Sequence, residues 1–363
     1  MKRLLLLGGG HAHVQVLHAL MRQPLPGIEV LLATPYARQM YSGMVPGLVA
    51  GRYRTDDCVI PLEPLAVAAG VRFIRTAAVA LDAAARQVRL ADGQLLPYDI
   101  LSIDTGPVID RDAIRGAREH GLFVRPIEEF VQRLDGVLAA AATGPQHIAL
   151  LGGGAAGFEL ALALRARVPA ARLTLVTGGP APLAGYPPRV LRLARATLQA
   201  RGVAVVEAAC TGIDARGLQL ADGTRLDCEL PLLAIGTSAP CWLAGSNLAL
   251  DAQGFIATGA TLQSLSHPEI FAAGDVASRP DAPHPKSGVY AVRAGPPLAL
   301  NLRRFAAGQP LAPYQPQRRT LNLLSCGDGR AIAAWGAWSA QGRWVWRWKD
   351  RIDRAFVARY RLA

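Results

Sequence analysis

Two short apolar runs along the chain are each followed by a cluster of glycines. Leu4 to Leu7 precedes Gly8-Gly9-Gly10, and Ile148 to Leu151 precedes Gly152-Gly153-Gly154. A short apolar run bounded by glycine is typical of a buried strand. After each loop the apolar positions continue at helical spacing. Each segment therefore predicts a strand, a tight glycine turn and a helix.

The two copies also match beyond the first helix. In each, the helix leads to a second apolar strand, then to an Ala-Asp-Gly turn and a third apolar strand. A glycine lies 14 residues after the turn aspartate in both copies, Gly106 after Asp92 and Gly236 after Asp222. The matched parts are helices over 14–21 and 158–167, second strands over 28–33 and 173–177, and third strands over 100–106 and 230–237. The repeat predicts an α/β fold with two Rossmann-like, dinucleotide-binding domains.

The repeat also predicts the domain organisation, because the second copy lies between parts of the first. We expect the first domain to be discontinuous, over residues 1–108 and 243–315, with the second domain inserted over 109–242. Residues 316–363 are expected to form a small C-terminal α+β segment.

The glycine loops carry the first candidate chemistry. In such a loop one glycine permits the turn and another lets backbone N–H groups approach a pyrophosphate, which then faces the helix N-terminus. The second copy has all three glycines of the pattern, Gly152, Gly154 and Gly157. The first copy has Gly8 and Gly10 but not the third glycine.

His13 stands where that third glycine is expected. A histidine there requires either a wider approach of helix to strand or a polar partner for its ring. His11 and His13 are either polar groups beside a cofactor or ordinary residues of a loop and a helix start.

Neither second strand ends in an acidic residue for an adenosine ribose. Thr34 follows the first of these strands and Thr177 ends the second. A missing carboxylate in the second copy also removes the repulsion that rejects a 2′-phosphate, and Arg189 and Arg192 lie downstream. The sequence leaves the choice between NADH and NADPH open.

Composition excludes several other classes. The 363 residues are 51% apolar and 18% charged, which excludes disorder. The five cysteines are odd in number and include no CxxC pair, which argues against a disulfide framework, a zinc site or a dithiol centre. No apolar run is long enough for a signal peptide core or a membrane span. We expect no bound metal and a cytoplasmic location.

The net charge of +12 is concentrated near the C-terminus, where residues 316–363 hold ten basic and three acidic side chains. Such a segment suits nucleic acid or an anionic membrane surface, and because no nucleic-acid module is present, the membrane is preferred. Within it, Trp344, Trp346 and Trp348 alternate with cations, and a helix follows with Ile352, Phe356 and Tyr360 at four-residue spacing. That face is predicted to pack on its own domain or a dimer partner, or else to contact the inner face of the cell membrane peripherally.

A segment late in the chain, residues 267–276 (HPEIFAAGDV), resembles the second FAD fingerprint of flavoproteins with two dinucleotide-binding domains. With the two glycine loops, the chain resembles the pyridine nucleotide-disulfide oxidoreductase superfamily over residues 2 to 300. The resemblance implies bound FAD, with NAD(P)H as co-substrate. It implies that Gly8 and Gly10 line the FAD pyrophosphate site and that Asp275 holds the ribityl chain beside Thr105 and Gly106. It places Gly152, Gly154, Gly157 and Glu159 at the nicotinamide-cofactor site, and the cofactor-binding set is completed by His11, Ala12, Thr34, Pro46, Thr177, Gly236, Gly274, Gly288 and Val289.

The chain lacks the cysteine pair of the dithiol members of this superfamily. The dithiol members carry a CxxxxC pair close to the flavin, whereas residues 40–47 (MYSGMVPG) contain no cysteine. This loop is similar to those of type II NADH:quinone oxidoreductases and sulfide:quinone oxidoreductases. The segments GGGHAHV, YSGMVPG, KSGVYAVRAGPPLALN and WRWKDRIDRAF resemble the NADH dehydrogenase-like branch that is often fused to selenide, water dikinase.

The resemblance implies an NAD(P)H dehydrogenase that passes a hydride through FAD to a quinone-like acceptor. Glu159 and Lys286 are the candidate catalytic residues. Glu159 either orients the carboxamide or relays a proton, or is an ordinary first-turn glutamate; Lys286 either stabilises reduced flavin or is a surface lysine at a helix start. Two alternatives stay open: an oxidoreductase of sulfur or selenium species that uses Cys326, and a redox-sensing flavoprotein that binds NAD(P)H without turnover.

Overall fold

Two parallel sheets form the core of the chain. The computed structural model describes residues 1–140 and 145–362. The first sheet has the order β19-β9-β1-β2-β5, with β1 Lys2–Leu7, β2 Ile28–Ala33, β5 Arg72–Ile74, β9 Ile100–Ile103 and β19 Ile270–Ala272. The second has the order β10-β17-β11-β12-β13, with β10 Leu122–Phe123, β11 His147–Leu151, β12 Arg172–Val176, β13 Val203–Val206 and β17 Leu230–Leu233. These are the two Rossmann-like units, so the predicted fold class is confirmed.

The sheet composition fits the predicted insertion. β19 joins the first sheet by pairing with β9, although the whole second sheet lies between them in sequence. The domain boundaries themselves stay a prediction. The buried residues of β1 are all leucine, and those of β11 are apolar except His147, because both faces of each sheet are covered. Helices pack on one face, and small antiparallel sheets over residues 78–97 and 210–227 pack on the other.

Each Ala-Asp-Gly turn belongs to a small antiparallel sheet, at the same place in the two copies. One contains β6 Ala78–Asp82, β7 Gln87–Leu90 and β8 Leu95–Pro97; the other contains β14 Cys210–Asp214, β15 Gly217–Leu220 and β16 Arg225–Asp227. Gly93 and Gly223 both have positive φ, +87° and +83°, as the turns require. Two short pairs, β3 Arg38–Met40 with β4 Val59–Pro61 and β18 Ile256–Ala257 with β20 Ala277–Ser278, complete this part.

The helices begin earlier than the apolar pattern predicts. α1 starts at His11 rather than at residue 14, and α6 starts at Ala155 rather than at residue 158, because Gly10 and Gly154 already occupy the N-cap positions. The third strands β9 and β17 also end before the predicted glycines, at Ile103 and Leu233. The described helices are α1 His11–Arg22, α2 Val45–Val49, α3 Leu62–Ala68, α4 Ala117–His120, α5 Ile127–Ala140, α6 Ala155–Arg167, α7 Pro188–Ala200, α8 Gly288–Ala306 and α9 Arg343–Arg359.

The C-terminal segment is the predicted α+β unit. It contains β21 Asn322–Ser325, β22 Ala331–Trp335 and β23 Trp338–Gly342 as an antiparallel sheet, followed by α9. No helix in the described part of the chain is both long and apolar enough to cross a bilayer.

The predicted apolar face of the tail is wrong in detail. All of Arg343–Arg359 is helical, including the tryptophans that alternate with cations. Ile352 is 42% exposed whereas Tyr360 is 2% exposed, so the predicted set does not lie on one buried face. The buried face of α9 instead contains Val345, Lys349, Asp353 and Val357.

Candidate active site

The glycine loop of the second unit faces a continuous cavity of about 1450 Å³ that extends to the C-terminal helix. Its wall contains ten of the predicted site residues: Pro46, Gly152, Gly154, Glu159, Thr177, Gly236, Asp275, Lys286, Gly288 and Val289. The cavity therefore brings together the second glycine loop, the start of α8 and the turn at Gly274 and Asp275, which we call the Gly-Asp turn.

The remaining predicted residues do not line this cavity. Gly8, Gly10, His11, Ala12 and Gly274 surround the N-terminus of α1 and the end of β9, and Thr105 and Gly106 follow β9. Thr34 is buried, with its N–H bonded to Ile74 O, and Gly157 packs so closely that a Cβ would lie 1.9 Å from Gly152 O. Thr34 and Gly157 thus hold strands and helices together, as the third glycine of the pattern is expected to do.

The first glycine loop is built around Asp104, which directly follows β9. A Cβ on Gly8 would lie 2.5 Å from Asp104 O, and one on Gly10 would lie 2.3 Å from Asp104 Cγ, so both positions require glycine. The Asp104 Oδ2 atom accepts hydrogen bonds from the backbone N–H groups of Ala12 (2.8 Å) and His13 (3.0 Å). A carboxyl group therefore lies at the start of α1.

His13 has the polar partners that its place in the pattern requires. Its Nδ1 lies 2.6 Å from Gly8 O and its Nε2 lies 2.8 Å from Ser102 Oγ. Burial lowers the pKa of His13 to about 4, so the ring is neutral at physiological pH. His13 is thus a structural link between α1 and β9.

His11 is in a different situation. Its ring lies 5.4 Å from the ring of Tyr41 and 6.0 Å from that of Phe356, between centroids. Burial, and secondarily the charge of Arg125, lower its pKa to about 4. The Nε2 atom is buried without a hydrogen-bond partner. A bound ligand is one way to satisfy such a group, so this observation fits an FAD site beside the first loop.

The Gly-Asp turn pairs with a residue that sequence analysis missed. Arg125, which follows β10, lies 3.9 Å from the Asp275 carboxylate across the cavity wall. Burial raises the pKa of Asp275, and Arg125 and Lys286 oppose that shift. The Lys286 Nζ atom donates to Ala277 O at 2.8 Å and lies 3.6 Å from the centre of the Phe255 ring. Lys286 therefore lines the cavity, with its ammonium group held by these two contacts.

Glu159 lies on the second turn of α6, so the alternative of an ordinary first-turn glutamate is wrong. Its Oε1 atom accepts a hydrogen bond from the Ser325 N–H at 2.7 Å. Burial raises the pKa of Glu159 to about 7, and Lys349 opposes that rise. A carboxyl group that titrates near neutral pH at a cavity wall can act as a general acid or base.

Lys349 connects Glu159 to a second acidic group, and sequence analysis missed this connection. Its Nζ atom donates to Asp353 Oδ2 at 2.7 Å and to Gly43 O at 2.6 Å. Burial opposes the ammonium charge, but Asp353 and Glu159 outweigh it and raise the pKa of Lys349. Tyr41 hydrogen-bonds Asp353 and stacks on Phe356 at 4.7 Å between ring centroids. We call Glu159, Lys349, Asp353 and Tyr41 the buried lysine network.

The structure does not support the alternative in which Cys326 acts as a reactive thiol. Cys326 is 1% exposed, and burial raises its pKa to about 12, which disfavours the thiolate. Among the described residues, every cysteine is free, and no group of three His, Cys, Asp or Glu side chains could hold a metal ion.

Comparison with known proteins agrees with this architecture. The family described as pyridine nucleotide-disulphide oxidoreductase matches residues 2–295. The chain is 28% identical to demethylphylloquinone reductase of Synechocystis over 92% of this chain and 87% of the relative, and 30% identical to a probable ferredoxin reductase of Castellaniella defragrans over 77% and 68%. It is 25% identical to an NADH dehydrogenase-like protein of Bacillus subtilis over 89% of each.

Solved structures share the fold at low identity. Sulfide:quinone oxidoreductase of Aquifex aeolicus superposes with a TM-score of 0.81 at 19% identity, covering 99% of this chain and 92% of that one. NDH2 of Plasmodium falciparum in complex with NADH gives a TM-score of 0.80 at 12% identity, covering 98% and 97%. The chain therefore belongs to the pyridine nucleotide-disulphide oxidoreductase family, whose members are flavoprotein oxidoreductases that depend on FAD and use NAD(P)H.

Proposed function

We propose that this oxidoreductase transfers electrons from NAD(P)H to a quinone without a redox-active dithiol. The observation that carries the proposal is the buried lysine network, which lines the cavity where α9 borders it and contains no cysteine. Two of the relatives are named as a demethylphylloquinone reductase and an NADH dehydrogenase-like protein, which supports the quinone class. The branch fused to selenide, water dikinase stays a prediction.

The cofactors would occupy the two halves of the site. Gly8, Gly10, Thr105 and Asp275 would hold FAD, with Arg125 as a further cation. The wall formed by Gly152, Gly154, Thr177 and Gly236 would hold NAD(P)H. Bound FAD would supply the redox chemistry by accepting a hydride from NAD(P)H and delivering two electrons to the quinone.

The protein's own residues handle the proton. Reduction of a quinone by NAD(P)H consumes one proton besides the hydride, because the products are NAD(P)⁺ and a hydroquinone. Glu159 has a pKa of about 7 and lies next to Lys349, so it can give up this proton and regain it at neutral pH. Lys349 would stabilise the carboxylate form of Glu159 after the proton has left. The same ammonium group also pairs with the Asp353 carboxylate.

A surface ridge beside the cavity mouth suits a membrane. The tryptophan ridge consists of Trp335, Trp338, Trp344, Trp348 and Ile352, which are all exposed. The rings of Trp344 and Trp348 lie 6.3 Å apart between centroids, and Ile352 also lines the cavity. Exposed tryptophans next to the exposed Arg343, Arg347 and Arg351 fit an anionic bilayer interface. We expect peripheral contact there, which would bring a lipid-soluble quinone to the cavity.

The proposal is tested by steady-state turnover with NADH or NADPH and three acceptors: a short-chain quinone, a ferredoxin, and polysulfide or selenite. Rapid quinone reduction that survives Cys326→Ala supports it. Turnover that occurs only with ferredoxin would support the ferredoxin reductase relatives instead. Loss of turnover in Cys326→Ala with FAD still bound would favour the sulfur or selenium reading, and reduced flavin that no acceptor reoxidises would favour a redox sensor.

A further inference from the structure

Asp104 carries a buried carboxyl group where the segment after β9 meets the first glycine loop and the Gly-Asp turn. The residue is 2% exposed. Its Oδ2 atom accepts the backbone N–H groups of Ala12 and His13 at the start of α1. Its Oδ1 atom lies between the glycine loop and the Gly-Asp turn, because a Cβ would approach this oxygen to 2.4 Å from Gly10 and to 2.5 Å from Gly274.

This position is chemically unusual. The amides at the start of α1 are the groups that a Rossmann-type helix offers to a pyrophosphate, and here a side chain of the protein already accepts from them. An ionised carboxylate and a pyrophosphate next to each other would repel strongly in a buried place. Protonation of the carboxyl group removes that repulsion and turns its free oxygen into a donor.

We propose that Asp104 binds FAD as a neutral carboxylic acid, so that FAD binding is coupled to the uptake of one proton. Oδ2 continues to accept from the two helix amides, and the proton on Oδ1 is donated to a pyrophosphate oxygen. The inference rests on the proposed FAD site at Gly8 and Gly10. It adds a binding residue that the glycine-loop pattern does not contain.

The charges around Asp104 agree with a neutral acid. Burial raises its pKa to about 8; the two helix amides oppose this rise, and the Asp275 carboxylate adds to it. His11 and His13, on α1, both have pKa values of about 4 and are uncharged at neutral pH. Arg125 and Lys286 act on Asp275, the neighbour of Asp104 on the Gly-Asp turn.

The test compares the wild-type holoenzyme with Asp104→Asn, which keeps one acceptor and one donor but cannot ionise. Both proteins are equilibrated between pH 7 and 10, and released flavin is measured by its fluorescence after ultrafiltration. We expect the wild-type FAD dissociation constant to rise above pH 8 by up to about tenfold per pH unit, the slope for one linked proton. The dissociation constant of the variant should change much less over the same range.

A second measurement counts the proton directly. Deflavinated protein is titrated with FAD at pH 9 by calorimetry in two buffers of different ionisation enthalpy. Wild type should take up close to one proton and Asp104→Asn close to none, while Asp275→Asn, the control for the neighbouring acid, should still take up most of a proton. Circular dichroism checks that each variant is folded.

The outcomes are distinct. Equal pH dependence and equal proton uptake in wild type and Asp104→Asn would overturn the role of Asp104 while leaving the FAD site intact. A folded wild-type protein that binds no FAD at all would instead refute the proposed function.

Discussion

Replacing Lys349 by methionine should expose how much the buried lysine network depends on charge balance. The Lys349 and Asp353 side chains are 8% and 7% exposed, and their charged atoms lie 2.7 Å apart. At that distance the attraction is ~6 kcal/mol for an effective dielectric constant of about 20, before desolvation is subtracted. Methionine keeps most of the volume of the lysine stem but leaves Asp353 without its cation.

The net loss is smaller than the gross attraction, because Asp353 can take up a proton. At pH 7 this costs about 4 kcal/mol, from ~1.4 kcal/mol for each of the roughly three pH units above the ordinary pKa of aspartate. Measured losses from breaking buried pairs are about 3–5 kcal/mol, so we expect Lys349→Met to lose that much stability at pH 7. In the variant the folded-state pKa of Asp353 lies further above the unfolded value, so its stability should rise as the pH falls from 7 to 5, by at most about 1.4 kcal/mol per unit.

The assay is urea unfolding of the FAD-loaded protein, followed by tryptophan fluorescence and circular dichroism, at pH 7 and pH 5. Asp353→Asn and the double variant complete a double-mutant cycle. The double variant should regain about 2 kcal/mol or more relative to the sum of the single losses, because neither member of the Lys349–Asp353 pair is then left without its partner. A Lys349→Met loss below about 1 kcal/mol, or strictly additive single losses, would refute a buried and coupled pair.

Three further predictions concern turnover and location. Glu159→Gln should lower kcat for quinone reduction by about 100-fold and abolish a kinetic pKa near 7 without changing FAD content; an unchanged pH profile would exclude Glu159 as the proton donor. Thr177→Asp should raise the preference for NADH over NADPH by about tenfold or more, ~1.4 kcal/mol, because it supplies a carboxylate near the ribose that repels a 2′-phosphate. An unchanged preference would mean that the ribose binds elsewhere. Replacing Trp344 and Trp348 together by serine should reduce binding to vesicles that contain anionic phosphatidylglycerol. The control is Val67→Ser, outside the tryptophan ridge at a residue that is 70% exposed, and it should not reduce binding. Equal binding of the wild type and both variants would exclude the tryptophan ridge as a membrane contact.

The fold could be predicted from the sequence because its signals are local. A short apolar strand followed by a glycine turn and a helix occupies 21 consecutive residues, and the chain contains this unit twice. The conformations of Gly8 and Gly152, with φ of +87° and +130°, are requirements of that local turn. The Gly-Asp turn is equally compact, and its resemblance to an FAD fingerprint implied a place beside the cofactor.

The rest of the site depends on contacts between distant parts of the chain. His13 finds its partner in Ser102, 89 residues away, and Lys349 donates to Gly43, 306 residues away. No motif of fixed spacing links residues that lie so far apart in the sequence. Lysine is rare in this chain, however, and Asp353 lies four residues after Lys349, so the Lys349–Asp353 pair could have been predicted. The exposed face of α9 was mispredicted because the pattern alone cannot show which side of an amphipathic helix its sheet will cover.

The central claim is that NAD(P)H reduces a bound flavin and that a quinone reoxidises it. The most direct test is an anaerobic titration of the purified protein with NADH and, separately, NADPH, in which the flavin absorbance band is followed before and after a soluble quinone is added. We expect at least one nucleotide to bleach the band within seconds and the quinone to restore it at least as fast. A bound flavin that neither nucleotide bleaches would contradict the claim.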